Sequence, residues 1–409
     1  MTTTKNNENK KLNVPNLRFP EFEGEWERMR LDAFTERVMR KNKNNQSKRP
    51  LTISAQYGLV DQITFFNKVI ASTDMSNYYL LKKGEFAYNK SYSSDYPWGA
   101  IKRLDNYDQG ALSSLYICFT PQDNVVSDFI LQYFESPKWH KGVSEIAVEG
   151  ARNHGLLNVS VQDFFHTYHY VPKDKNEQIK ISKLLMLLDE RIATQNKIIE
   201  DLKKLKSAIS KILFTRKDLL ETTIRLADIA TLKNGYAFQS SKYNILGKWK
   251  IITIANVSGG RYINEEDCNC IINLPNDIQV HQVLKEGDIL ISLTGNVGRV
   301  SLCKDGNYLL NQRVGLLHIT KNLNQEFLYQ VLSSRRFENS MVACGQGAAQ
   351  MNIGKGDVEN FVLPYSSNAN NIHLVARILH SYDECIINEL RELTLLTKQK
   401  QYLLRQMFI

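Results

Sequence analysis

Cysteine and proline are scarce in this chain, and their placement excludes several chemistries. The six cysteines (118, 268, 270, 303, 344, 385) show no C-x-x-C spacing, so neither a zinc knuckle nor a disulfide framework organises the fold. Cys268 and Cys270 are the one close pair, and free thiols fit a reducing compartment. None of the nine prolines is followed by another. That removes the Asn/Asp-Pro-Pro-aromatic loop of a DNA methyltransferase, and the glycine-rich cofactor loop such an enzyme needs after its first strand is missing as well. Gly354-Lys355 is followed by Gly356 where a Walker loop needs Ser or Thr. The nucleophile-elbow and H-E-x-x-H patterns are absent. Carboxylates are dispersed and mostly helical, without nuclease-like metal spacing. His166 and His169 stand three apart in a strand-like stretch, which reads as core or surface histidine. No apolar run approaches bilayer length, and the polar start, MTTTKNNENK, has no signal-peptide core. The expectation is a cytoplasmic protein with no membrane partner, no metal and no chemistry of its own.

Glycine and proline are also missing from one long stretch, and there the absence is constructive. Asn176 to Arg216 contains neither. Ile181, Leu185, Leu188, Ile192, Ile199, Leu202, Ile209 and Leu213 recur at alternating steps of three and four, with Gln195 and Lys206 polar on the same seam. A helix from Ile179 to Phe214 would run about 54 Å. Ile372 to Ile409 repeats the pattern at a constant shift of 194: Asp189-Glu190 recurs as Asp383-Glu384, Ile192 as Ile386, Leu202 as Leu396 and Lys206 as Lys400. The shift extends upstream, with Asn158 and Asp163 matching Asn352 and Asp357. The chain is an internal duplicate of a strand-rich globular part followed by a long helix.

The predicted fold class is α+β: two tandem β-rich domains joined by two long antiparallel coiled-coil helices, related by a pseudo-two-fold internal repeat. Expected boundaries are a disordered 1–16, a first domain at 17–175, a helix at 176–216, a second domain at 217–370 and a helix at 371–409. A pairing in which residue numbers sum to 595 opposes Leu188 with Met407, Ile192 with Leu403, Ile199 with Leu396, Leu202 with Leu393 and Ile209 with Ile386. The same register sets Lys206 against Glu389 and Gln195 against Lys400; a slip of one heptad matches nearly as many apolar layers. Strands are expected at 51–55, 63–70, 84–89 and 114–119, then at 250–257, 288–294, 298–303 and 314–320. Helices are expected around 127–137 and 324–341.

Net charge is +9, a weak pointer towards a polyanion. Arg37, Arg40, Lys41, Lys43, Lys48 and Arg49 cluster within thirteen residues without a carboxylate, as a solvated loop or a phosphate contact.

The stretches LRFPEFEGEWE, NGYAFQSSKY, TGNVGRVSL, GQGAAQMNIGKGDVENFVLP and NEQIKISKLLMLLDERI, in that duplicated order, resemble the specificity subunit of type I restriction-modification systems over nearly the whole chain. The resemblance implies two target-recognition domains, each reading half of a bipartite, asymmetric site in double-stranded DNA. It also implies helices that dock two modification (methyltransferase) subunits, with restriction (translocase/nuclease) subunits completing the complex. S-adenosylmethionine, ATP and Mg would sit on those partners, and no cofactor on this chain. Arg suits guanine and Asn or Gln suits adenine in a major groove. The base-reading candidates are therefore Lys90, Tyr92, Arg103, Arg152, Asn153 and His154 in the first domain, and Asn296, Arg299, Arg313, Gln346 and Gln350 in the second. Arg40 and Lys41 are candidates for phosphate. A non-catalytic coiled-coil adaptor binding protein or surface ligands is the alternative.

Overall fold

A computed structural model describes residues 13–55, 57–67, 72, 74–147, 156–321, 323–345 and 351–409. The chain divides into two compact units, one formed by Met1–Thr194 with Leu393–Ile409, the other by Gln195–Glu392.

The first unit opens with strand β1 (Glu27–Arg30), which pairs antiparallel with β10 (Tyr168–Val171), so the globular part begins and ends in one ladder. Between them lie two four-stranded sheets. The first has the order β2-β9-β6-β7, formed by Thr35–Arg37, Ile117–Pro121, Phe86–Asn89 and Ala100–Arg103. The second has the order β4-β3-β8-β5, formed by Gly58–Asp61, Pro50–Ser54, Gln109–Leu112 and Tyr79–Lys82, with β3 parallel to β8. Helices α1 (Gln62–Phe66), α2 (Ser127–Glu135), α3 (His140–Ile146) and α4 (Val161–Phe165) complete the domain. Its main core is aromatic: Trp26, Phe34, Phe86, Tyr88, Phe119, Phe129, Tyr133 and Phe164 are buried together. Large aromatic side chains bury the most area per residue, which suits a domain of short strands.

Helix α5 (Lys175–Thr215) leaves this domain. Its buried Ile181 and Leu185 share the aromatic core with Leu404, Met407 and Phe408 of the chain's last segment. Asp189 meets Lys400 at 2.5 Å. Low numbers meet high ones, so the two helical segments of this unit are antiparallel. Glu177, buried at the start of α5, accepts from Arg18 Nε at 2.7 Å and from Trp26 Nε1 at 3.2 Å, fixing helix to domain.

The second unit repeats the plan. β11 (Thr222–Arg225) pairs antiparallel with β19 (Val362–Tyr365). One sheet has the order β12-β18-β15-β16, from Ala230–Asn234, Val314–Ile319, Ile289–Ser292 and Val300–Leu302. The other has the order β14-β13-β17, from Asn269–Ile271, Trp249–Ile252 and Tyr308–Leu310, with β13 parallel to β17. Helices α6 (Gln325–Leu332), α7 (Arg335–Cys344) and α8 (Lys355–Glu359) precede the last helix, α9 (Ala369–Gln406). The core here is mainly aliphatic, and Leu213 and Phe214 of α5 enter it beside Ile372, Val375 and Leu379 of α9.

The coiled-coil register differs from the expected sum of 595. Lys206 pairs with Asp383 at 2.6 Å, and Gln195 donates to Glu389, its carbonyl at 3.1 Å and its carboxylate. Lys206 therefore does not meet Glu389, nor Gln195 Lys400. Both ion pairs, Asp189–Lys400 and Lys206–Asp383, sum to 589, about one heptad away. The physical reason is charge: the expected register left both aspartates without a lysine, whereas the observed one gives each unit the same pair. Of the residues assigned to the helix seam, Ile199, Leu213, Ile386, Leu396 and Met407 are buried, while Leu188, Ile192, Leu202, Lys206, Ile209, Glu389, Leu393 and Leu403 are half-buried.

Three local expectations are corrected. Of the stretch 1–16 expected to be disordered, 1–12 lie outside the described residues and 13–16 are ordered: Asn13 accepts from the Trp26 amide at 2.8 Å and donates to Glu25, and Asn16 donates to Gln406 at 3.1 Å. The expected strand at 63–70 is helical at Gln62–Phe66, where the Asp61 carboxylate accepts from the Ile63 amide and starts the turn. The expected helix at 324–341 is two helices, because Ser334 turns extended and caps α7 through the Phe337 amide.

Candidate nucleic-acid interface

In the second unit, four strand ends meet at one edge of the β12-β18-β15-β16 sheet, because β18 runs antiparallel to β12 and β15, and β15 to β16. The loops there are stitched by backbone hydrogen bonds. Tyr236 bridges Asn311, and the Gln312 amide donates to the Tyr236 carbonyl at 3.0 Å. Leu293 donates to Arg313 at 3.0 Å, Gly295 to Met351 at 2.9 Å and Ile353 to Leu293 at 2.9 Å. Gly295 and Gly298 hold φ of +74° and +77°. At Gly298 an added Cβ would also lie 2.7 Å from the Met341 Cβ, so the TGNVGR loop needs glycine there for conformation and for space.

This edge displays Asn296, Gln312 and Arg313, all exposed. Arg299 is half-exposed, 3.7 Å from Glu338 and donating weakly to the Ser258 carbonyl at 3.5 Å. Gln346 and Gln350 lie outside the described residues. Polar and cationic groups on rigidly tied backbone suit the reading of hydrogen-bonding edges.

The first unit has the same edge. Its β6–β7 loop spans 90–99, the segment before β9 spans 113–116, and Ser91 bridges Leu156 as Thr294 bridges Asn352. Tyr92 is exposed on this loop. Lys90 is half-buried, its Nζ 3.4 Å from the Val159 carbonyl, and its own carbonyl accepts from Leu157. Arg152, Asn153 and His154 lie outside the described residues.

Two proposed contacts are tied into the protein itself. Arg103 has a side chain only 11% exposed, held by Asp105 at 2.7 Å and Asp128 at 2.7 Å, with Ser127 beside them. It sits in a sheet strand, not a loop, and cannot reach a base without abandoning two carboxylates. Arg40 forks onto Glu85 at 2.6 and 3.1 Å. Its charge is already balanced, which removes the reason to assign it to phosphate. Lys41 is intermediate: it donates to the Asn77 carbonyl at 2.9 Å and lies 4.3 Å from the Tyr79 ring centre.

The more exposed charge of the basic run falls further along it, although Arg49 lies 3.9 Å from Asp61 and 4.3 Å from the Tyr107 ring centre. Asn42, fully buried, donates to the Ser47 carbonyl at 2.9 Å and accepts from the Ser47 amide at 2.7 Å, closing the loop on itself. Asn44 and Asn45 take positive φ inside it. Lys43, Lys48 and Arg49 are exposed on the outside. Three asparagines in NKNN were the available signal, since Asn tolerates the left-handed region and closes short loops.

His169 and the buried cysteines, Cys118 and Cys303, are structural. His169 is buried between the Tyr133 hydroxyl at 2.8 Å and Thr167 Oγ1 at 2.7 Å, and burial pushes it down to about 3, so it is neutral. His166 lies on the surface at the end of α4, 3.9 Å from Asp32. Burial pushes the Cys118 and Cys303 thiols up to about 12, and Cys268 is raised for the same reason. Among the described residues no group of three His, Cys, Asp or Glu side chains is placed to hold a metal ion. No helix among them is long and apolar enough to cross a membrane.

Residues 221–398 match the family model of the type I restriction modification DNA specificity domain. The chain is 26% identical over 281 residues to the type I restriction enzyme MjaVIII specificity subunit of Methanocaldococcus jannaschii, a match covering 63% of this chain and 64%, just under two thirds, of that relative. Its fold is similar to that of a crystallised type I restriction-modification S subunit from M. genitalium, with a TM-score of 0.57 and 16% identity over 97% of this chain and 99% of the other. A chain solved in work on complex assembly and conformational transition of the type I R-M system superposes with a TM-score of 0.55 at 15% identity, over 94% and 97%.

Proposed function

We propose that this chain, which carries the type I restriction-modification DNA specificity domain over residues 221–398, is the specificity subunit of such a system. In this reading it is a non-catalytic reader of double-stranded DNA, each globular unit taking one half of a bipartite site. The observation that carries the proposal is the stitched loop edge of the second unit, which lies within the matched domain and sets exposed Asn296, Gln312 and Arg313 on fixed backbone. Asn296, Arg299, Arg313, Gln346 and Gln350 in that unit, and Lys90, Tyr92, Arg152, Asn153 and His154 in the other, remain the proposed base readers. Lys43, Lys48 and Arg49 take over from Arg40 as phosphate contacts, with Lys41 beside them.

Two modification subunits would dock on the long helices, and restriction subunits would join through them. The helices support this with apolar side chains off the seam: Ile198, Leu205 and Ile212 are 41%, 47% and 59% exposed at seven-residue spacing, and Leu395 and Tyr402 are 62% and 59% exposed at the same spacing. A soluble helix leaves such a stripe open at a cost unless a partner covers it. S-adenosylmethionine, ATP and Mg would be held by those partners.

The test is methyl transfer to DNA from labelled S-adenosylmethionine, with the purified chain alone and with the modification subunits. Label is expected only when both are present. Transfer by the chain alone would make it an enzyme. No salt-dependent duplex affinity and no support of transfer would favour an adaptor.

A further inference from the structure

One group of apolar side chains in the first unit stands exposed at the end of strand β3. Strand β3 overshoots its parallel neighbour: Pro50 and Leu51 pair with Ala111 and Leu112, and Thr52 to Ser54 run on, with Thr52 Oγ1 3.3 Å from the Tyr116 hydroxyl. The β3–β4 turn and α1 are thereby carried to the same end of the unit as the 113–116 loop. They leave Tyr57, Ile63, Phe65 and Phe66 61%, 41%, 42% and 48% exposed. The rings cluster, Tyr57 to Phe65 at 5.9 Å between centroids and Phe65 to Phe66 at 5.0 Å. Leu115, 70% exposed, lies in the 113–116 loop beside Tyr116.

The surroundings are cationic. Arg49 Nε lies 3.9 Å from Asp61, the residue that caps α1, so the closed basic loop with Lys43 and Lys48 flanks the aromatic helix. Three exposed rings beside three exposed cations fit a polyanion with an apolar interior that can be opened, and a stacked duplex is one. Aromatic and aliphatic side chains pressed between base pairs unstack a step for a few kcal/mol, and the resulting bend brings more phosphates onto the protein. Beside its corresponding edge strand, β14, the second unit exposes Ile245, Leu246 and Ile272, which are aliphatic, and β14 is followed by no aromatic ring through Pro275.

We propose that Phe65 and Phe66 form a wedge that enters the base stack of the bound duplex, with Lys43, Lys48 and Arg49 on the flanking phosphates. The wedge bends the half-site read by the first unit. This rests on the duplex-reading function above and adds to it a deformation step and the residues that drive it.

The experiment uses the full chain and a duplex selected by it from a random-sequence pool, with 2-aminopurine placed at each position in turn. Wild type should brighten the probe severalfold at one step, in one half of the site. The Phe65→Ala/Phe66→Ala double variant, checked for an unchanged melting temperature, should lose that signal and bind roughly tenfold or more weakly with an unchanged salt slope. Phe65→Tyr/Phe66→Tyr should restore both. Lys48→Ala/Arg49→Ala should instead lower the salt slope by about two, since each phosphate contact contributes about one, and keep the signal at saturation. Sequence-selective binding with no brightened step overturns the wedge and leaves the reader intact. An alanine double variant that binds duplex normally but no longer binds modification subunits makes the patch a protein-docking face and overturns it too. Failure to select or bind any duplex overturns the reading of function itself, and the wedge with it.

Discussion

Arg103 and Arg313 are the same side chain, yet one is enclosed by Asp105 and Asp128 and the other stands exposed on a loop edge. Arg313→Ala should weaken duplex binding and relax selectivity at one position by about 1–3 kcal/mol, seen as a changed consensus in selected duplexes. Arg103→Ala should leave that consensus unchanged and lower the unfolding midpoint of the first unit only slightly, because Asp105 and Asp128, 46% and 43% exposed, are left to solvent. His169 makes a second prediction. Its folded pKa is depressed to about 3 from 6.5, so below pH 6.5 the unfolded chain binds a proton that the folded chain does not. Stability should be full above pH 6.5 and fall, by up to about 1.4 kcal/mol per pH unit, as pH drops towards 3. His169→Gln should flatten that part of the pH profile of thermal unfolding. Each environment is local only in part: Arg103 meets Asp105 two residues away but Asp128 across twenty-five, and His169 meets Thr167 two residues away but Tyr133 across thirty-six.

At the scale of elements, the long helices were readable and their register was not. Spacing and the lack of Gly or Pro determine a helix locally, whereas register depends on which of two nearly equal apolar matches also pairs its charges. Asp189 and Asp383 chose the match that supplies Lys400 and Lys206. Alternation misled at α1, where a period-two reading of ITFF yielded to an aspartate cap. The loop edge was legible only in part: TGNVGR announced a turn, but not that Met351 and Asn352 would meet it. The charged seam predicts unequal costs. In the second unit Asp383, 6% exposed, also accepts from Arg261 at 3.0 Å and Gln330 at 2.6 Å, while Arg261 forks onto Glu326. Arg261→Met leaves two carboxylates short of a partner in a buried network and should cost about 3 kcal/mol of the second unit's stability. Lys400→Met leaves Asp189, whose side chain is 41% exposed, to solvent and to Gln132, and should cost about 1 kcal/mol or less. Urea midpoints of the two variants decide between them.

At the scale of the whole molecule, the duplicate reappears as two units of one plan with different contents. Each globular part starts and finishes in its own two-stranded ladder, β1 with β10 and β11 with β19. In the second, Thr222 faces Tyr365 and Arg225 faces Val362, so a cut at 222 and 370 removes both strands of the ladder together. The remaining chain keeps α5 and nearly all of α9, and with them Lys206–Asp383 and Gln195–Glu389. A replacement domain of the same family brings its own ladder and closes on the same helices. Exchange of residues 222–370 should therefore yield a folded chain that still supports methyl transfer by the proposed modification subunits, at a site changed in one half only. The methylated adenines of a genome exposed to the hybrid give the readout. Because every proposed reader of the first unit, and its aromatic wedge, lies outside the exchanged segment, a change in both halves would mean that reading is shared between the units.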